Sequence, residues 1–186
     1  MKILLTALAL TLASQTASAQ DRDGNDTAGQ WRHTHAESYG LWESICDEVE
    51  VDEVPMERCY IRYVDGFSPR PNFGALFSFV NATSEGVTLD FGIERGTRFK
   101  PSGFRLERDG QTIWENESIL CLRLQDCFYD PEQARPIIEL MASADVFIFD
   151  FTDRHDQEQT LVWDMTAFGD ALEDQATQVS LREYIQ

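Results

Sequence analysis

From about residue 39 onward the chain is written in period two. Val87, Leu89, Phe91 and Ile93 alternate with Thr88, Asp90, Gly92 and Glu94, the pattern of a strand with one buried and one solvated face. In FRLERDGQTIWE, Asp109-Gly110 separates Phe104 and Leu106 from Ile113 and Trp114, which predicts a hairpin closed by a two-residue type I′ turn. Residues 40–47 and 58–64 form a second candidate pair. On it Trp42, Ser44 and Cys46 share one face and Cys59, Ile61 and Tyr63 another, so both cysteines can point inward. Further strands are expected at 75–80, 146–151 and 161–166, the last two joined by the polar turn TDRHDQEQ. Phe147, Phe149 and Phe151 alternate on one strand face, as core-packing aromatics do.

One helix interrupts this pattern. It starts at Asp130-Pro131-Glu132-Gln133, where Asp130 can cap, Pro131 suits the first helical position and Gln133 can complete a capping box. Ala134, Ile137, Ile138 and Met141 follow on one side, and Pro136 is expected to delay or bend the first turns. About seven short antiparallel strands with one short α-helix predict a mostly β fold, an antiparallel β-sandwich or partly closed barrel.

The segment before residue 39 reads differently. Lys2, the apolar run 3–12 and Ala17-Ser18-Ala19 have the layout of a cleavable signal peptide spanning residues 1–19, with the mature chain expected to start at Gln20. The apolar run is shorter than the roughly 20 residues that span a bilayer, and no transmembrane segment is expected after cleavage. Residues 20–38 are polar and lack periodicity, so they are expected to be a flexible leader into a single domain at 39–186.

Export changes the reading of the four cysteines, Cys46, Cys59, Cys121 and Cys127. In an oxidising compartment an even set favours disulfides. Three pairings are possible. The local one, Cys46 with Cys59 and Cys121 with Cys127, is favoured because each pair closes a hairpin-like loop, contributing about 2–3 kcal/mol. A net charge of −18 and a pI near 4.3 exclude nucleic acid and anionic membranes as natural partners. Such a charge also keeps a protein soluble and unassociated.

Candidate chemistry is sparse. His33 and His35 lie in the expected leader, and His155 sits between Asp153 and Asp156; without a third ligand at fixed spacing they are expected to be solvated loop histidines, and no metal is expected. Asp21, Asp23 and Asn25 have the spacing that opens a calcium loop, but Asp26 and Arg32 stand where glycine and glutamate are needed. Between Cys46 and Cys59, Asp47, Glu48, Glu50, Asp52, Glu53 and Glu57 form a carboxylate-rich loop expected to be solvated. The one basic segment holds Arg95, Arg98, Lys100, Arg105 and Arg108. It is the best candidate for gripping a carboxylate, a phosphate or an acidic patch, against an internal salt-bridge face. There is no G-x-S-x-G elbow, and Cys121 and Cys127 lack C-x-x-C spacing, so no catalytic set is expected.

Several of these features in order give the chain a family likeness. Trp42-x-x-x-Cys46 is followed by Glu57-Arg58-Cys59, then by Pro101-Ser102-Gly103-Phe104-Arg105-Leu106 running into Asp109-Gly110. The close cysteines Cys121 and Cys127 come next, then a helix, then Ala167-Phe168-Gly169-Asp170-Ala171-Leu172. In this the chain resembles the bacterial invasion-associated locus B family over roughly residues 39–174. It departs from the family's pattern in lacking a glycine between the last two cysteines and in carrying Ala167 where a glycine commonly precedes the phenylalanine. The resemblance implies a small exported protein without a cofactor, periplasmic, secreted or associated with the outer envelope, some of whose relatives are linked to host-cell entry. The expectation is thus a non-enzymatic envelope protein that binds a protein or envelope component. The alternatives are an exported hydrolase acting on an envelope polymer and a small anion-binding module.

Overall fold

The structure, a computed structural model, describes residues 31–66, 75–93, 100–116, 126–152, 156–182 and 185. Ten strands and two helices are found among them: β1 (Arg32–Tyr39), β2 (Trp42–Val51), β3 (Val54–Gly66), β4 (Ala75–Thr83), β5 (Gly86–Ile93), β6 (Lys100–Arg108), β7 (Gln111–Asn116), β8 (Asp126–Tyr129), α1 (Pro131–Met141), β9 (Val146–Thr152), β10 (Glu158–Asp164) and α2 (Phe168–Ser180). They make two antiparallel sheets packed as a sandwich. One has six strands in the order β1-β2-β3-β4-β5-β8, the other four in the order β10-β9-β6-β7, and neither closes into a barrel.

The alternation read from sequence decides which face is buried. Leu89 and Phe91 of β5, Phe104 and Leu106 of β6, and Phe147, Phe149 and Phe151 of β9 all point between the sheets with at most 2% exposure. Phe104 stacks on Phe149 at 4.3 Å and lies 5.1 Å from Phe147, while Phe91 lies 4.8 Å from Phe147. Each such ring contributes about 1.5–3 kcal/mol by leaving water. Trp42 anchors the other end of this core. It meets Tyr63, Trp163 and Phe168 edge-on or tilted, and its indole N–H donates to the Asp164 carbonyl at 3.2 Å.

Turn chemistry sets the registers. Asp109 and Gly110 both have positive φ, as a type I′ turn requires, so the hairpin β6–β7 forms as the Asp-Gly pair predicts. Gly103 sits at a β-bulge in β6, with φ +125° and a Cβ position 2.8 Å from the Asn116 carbonyl oxygen, so no side chain fits there. The Pro-Ser-Gly segment is therefore a strand irregularity that lets β6 pass close to β7.

At α1, Asp130 caps by accepting from the Gln133 backbone N–H at 3.0 Å, and the four anticipated apolar residues are the buried ones. Pro136 is exposed and inside the helix, which runs on through it. Among the described residues no helix is long and apolar enough to cross a membrane.

Two elements are corrections to the sequence reading. Regular structure is already present at Arg32, well before Tyr39, because RHTHAESY forms β1 and pairs along β2 from Tyr39↔Trp42 to Arg32↔Glu48. An edge strand that seats two histidines on carboxylates shows no apolar alternation. The second is α2, where only Phe168, Ala171 and Gln175 are buried. With a buried glutamine in its stripe, its helical period is nearly invisible.

Candidate functional site

Three strands, β1 to β3, carry most of the polar chemistry that the structure assembles. Cys46 and Cys59 are directly opposed across β2 and β3 and are joined by a disulfide, with Cα atoms 4.1 Å apart. Once that pair is fixed, antiparallel register places Asp47 opposite Arg58 and Glu43 opposite Arg62, and leaves Asp52 and Glu53 at the turn. Both turn residues have positive φ, 54° and 66°, so the hairpin closes on the same turn type as Asp109-Gly110 but without glycine.

Side chains alternate, so Cys46 and Cys59 face inward and Asp47 and Arg58 face outward. Asp47 is nevertheless fully buried. Its Oδ2 accepts from Arg58 Nη2 at 2.8 Å, Arg58 Nε at 3.0 Å and the Tyr60 hydroxyl at 3.0 Å, while Oδ1 bonds His33 Nδ1. Such a carboxylate is tolerable only because both oxygens are partnered and a guanidinium balances its charge. The Arg58 guanidinium lies 4.1 Å from the Trp31 ring centroid and 5.4 Å from that of Tyr60. Burial and the neighbouring Asp47 charge push the Tyr60 phenol up to about 12, so it stays a neutral donor at physiological pH.

A row of outward side chains crosses the large sheet beside this cluster. The register places Glu43, Arg62, Phe79, Asp90 and Phe128 in line on β2, β3, β4, β5 and β8. Arg62 Nε donates to Glu43 at 2.8 Å, Asn81 donates to Asp90 at 3.0 Å, and Phe79 packs on Tyr60 at 6.1 Å. Phe128 is 59% exposed and Val64, on the same face, 49% exposed. The result is a firm sheet surface with charged, aromatic and aliphatic positions held by cross-strand pairs.

On the inward side, His35 Nε2 bonds Asp174 of α2 at 2.7 Å. Burial would raise the Asp174 pKa, but the nearby Ser44 hydroxyl and the bond to His35 outweigh it and hold the carboxyl below its usual value. His33 and His35 are therefore corrections as well. They are not solvated leader residues but fasteners of β1, one on each face of the sheet.

The carboxylate-rich loop is solvated only in part: Glu50, Asp52 and Glu53 at and beside the turn are exposed as expected, and the other three are not free. Asp47 is consumed as described, Glu48 pairs with Arg32, and Glu57 lies 3.6 Å from Arg182. Among the described residues no group of three or more His, Cys, Asp or Glu side chains is placed to hold a metal.

Of the basic segment, Arg95 and Arg98 lie outside the described residues. Lys100 opens β6 opposite Thr152. Arg105 donates to Glu107 at 2.8 Å and to Asp150, which raises its own pKa, and Arg108 is exposed at the β6–β7 turn. The Arg105 fork is occupied internally, by Glu107 and Asp150 rather than by the acidic loop. At Asp150 burial pulls the pKa upward, but bonds from Thr160 and Arg105 leave it lowered.

Cys127 is disulfide-bonded, with the Asn116 side-chain amide 3.4 Å from its sulfur. Cys121 lies outside the described residues, as do His155, Asp153 and the Asp21–Asp23–Asn25 pattern. Sequence reasoning missed the Asp47 cluster, although one signal was present: a disulfide between Cys46 and Cys59 forces their neighbours Asp47 and Arg58 together.

The Cys46–Cys59 disulfide points to an extracytoplasmic protein, since such bonds persist in oxidising compartments. No protein-family model matches the chain, and no curated protein does. Among solved structures, the chain matches the crystal structure of invasion-associated protein B from Bartonella henselae, with a TM-score of 0.49 and 15% identity, covering 79% of this chain and 99% of that one.

Proposed function

We propose that this protein is a non-enzymatic binding module of the bacterial envelope, and that it engages a protein partner through the outer face of its six-stranded sheet. The observation that carries the reading is the row Glu43–Arg62–Phe79–Asp90–Phe128, in which exposed apolar surface at Phe128 and Val64 sits beside side chains already fixed by ion pairs and hydrogen bonds. Aromatic and arginine positions on a rigid sheet supply contact area at low ordering cost, the composition of an interface core. The net charge of −18 favours a cationic partner, steered by long-range attraction that salt screens. The order of motifs shared with the invasion-associated locus B family supports placement in the periplasm or at the outer envelope, and through it a link to host-cell contact.

The test is site-specific photo-crosslinking in the protein's own cells, with the reactive side chain at position 128 or 64 and, as a control, at Val162 on the outer face of the other sheet. Expected is one discrete adduct from 128 and 64 that weakens with added salt and is lost in Arg62→Glu, with none from 162. Adducts from 162 alone, or equal from all three, would sink the proposal.

A further inference from the structure

The Cys46–Cys59 disulfide is sealed on the inner side of the large sheet. Cys46 is 0% and Cys59 1% exposed, and they form a small apolar cluster with Ala82 against which Val179 and Ile185 pack. The apolar cover, Val179 and Ile185, comes from the C-terminal end of the described chain, where the two ends of α2 are attached differently. At the start of α2, Phe168 and Ala171 are fully buried and Phe168 packs 4.8 Å from Trp42, in the aromatic core.

From Gln175 onward the attachment is mostly polar. The Gln175 amide donates to the Val80 carbonyl at 2.8 Å and the Cys59 carbonyl at 3.4 Å. Arg182 bonds Gln178 and, at 3.1 Å, the Thr34 hydroxyl of β1, and Glu57 bridges to Ile185. Few buried apolar contacts hold this stretch, and segments held in that way open at lower free energy than the core around them.

We infer that the second half of α2 and the two residues after it, from Gln175 to Arg182, form a hinged strap that gates this disulfide, so that its sulfurs exchange only when the strap lifts while the sandwich stays folded. With a dithiol reductant, one thiolate attacks a cysteine sulfur through the opened strap. The Cys46–Cys59 bond breaks, a mixed disulfide forms and the other cysteine leaves as a thiolate. The reductant's second thiolate then displaces the bound cysteine, so two electrons pass to the protein and the reductant leaves as a disulfide. The same geometry runs in reverse, so oxidation of the two thiols precedes strap closure. Folding then has an order: β2–β3 hairpin, disulfide, strap.

The experiment is reduction of the folded protein by dithiothreitol, followed by alkylation and peptide mapping that reads Cys46 and Cys59 separately from Cys127. Three proteins are compared: the wild type, Arg182→Ala, and a core variant, Ile148→Val, matched for a small loss of global stability. Expected is a rate about two- to fivefold faster in Arg182→Ala, in line with loss of a hydrogen-bonded pairing, and unchanged in Ile148→Val. In the wild type, low urea is expected to speed reduction with a much shallower dependence than global unfolding. Equal rates in all three proteins, or a urea dependence as steep as that of global unfolding, would overturn the gate.

Discussion

Around Phe91 the inner face of the large sheet meets the rings of Phe104 and Phe147 from the other sheet, at 5.2 and 4.8 Å. Around Cys46 the same face meets α2 through a buried glutamine and a histidine–carboxylate pair, over a disulfide that ties β2 to β3. The first region is stabilised by non-directional burial, which tolerates rearrangement as long as volume is conserved. The second depends on directional contacts, each requiring a particular partner, and on a covalent bond that removes freedom from the unfolded chain. One sandwich thus carries a centre of aromatic rings, which neither pH nor redox state addresses, and a wing that both do, and it is the wing that holds the buried charge, the Cys46–Cys59 bond and both histidines of β1.

Substitutions separate the two. Phe104→Ala, which empties the space between Phe91, Phe147 and Phe149, is expected to cost about 3–5 kcal/mol in urea unfolding. A loss under about 1 kcal/mol would show that the centre is not close-packed. Replacing Cys46 and Cys59 together by alanine should cost about 3 kcal/mol through loop entropy, with sheet content by circular dichroism retained; loss of that signal would make the wing a precondition of the whole fold.

Asp47→Asn is expected to cost about 1–3 kcal/mol by weakening the bonds to Arg58, Tyr60 and His33. Adding Arg58→Met should cost less than the sum of the two single changes, and strict additivity in that cycle would deny the coupling. Glu53→Gly, at φ 66°, is expected to stabilise by up to about 1 kcal/mol, because glycine accepts the left-handed region without steric cost.

The smallest effect concerns acid. Asp174 and Asp150 are held below their usual pKa in the folded chain, so the folded state binds their protons less tightly than the unfolded state does. Their contribution is complete above the unfolded carboxylate value, roughly pH 4, and fades as pH falls through the lower folded values. Urea midpoints measured from about pH 6 down to about pH 2.5 should decline, and Asp174→Asn should flatten part of that decline; an unchanged slope would remove Asp174 from the wing's support.

Much of the centre is legible in the amino-acid sequence. The alternation in 87–93 and 146–151 names the buried face correctly, Asp109-Gly110 names its turn, and Asp130-Pro131 names the start of α1. These signals are local, because neighbouring residues share a face and a turn is decided by the φ its own residues can adopt. The wing is not legible in the same way. RHTHAESY has no apolar period, since its histidines find partners 14 and 139 positions away, Asp47 and Asp174. Asp52-Glu53 carries no glycine to announce a type I′ turn. In α2 a buried glutamine replaces an apolar residue because its partners are the carbonyls of Cys59 and Val80.

The sequence by itself therefore determined the strand periods, the aromatic core and the acidic character of the molecule, and favoured the local cysteine pairing among three. Only the tertiary structure decided that Asp47 is buried and fully bonded, that the first strand is fastened on both faces by histidine, and that the chain's last helix covers the first disulfide. Apolar burial has no particular partner and can be read from spacing. A hydrogen bond needs one specified atom within about 3 Å, and which atom arrives there is settled by how distant segments pack.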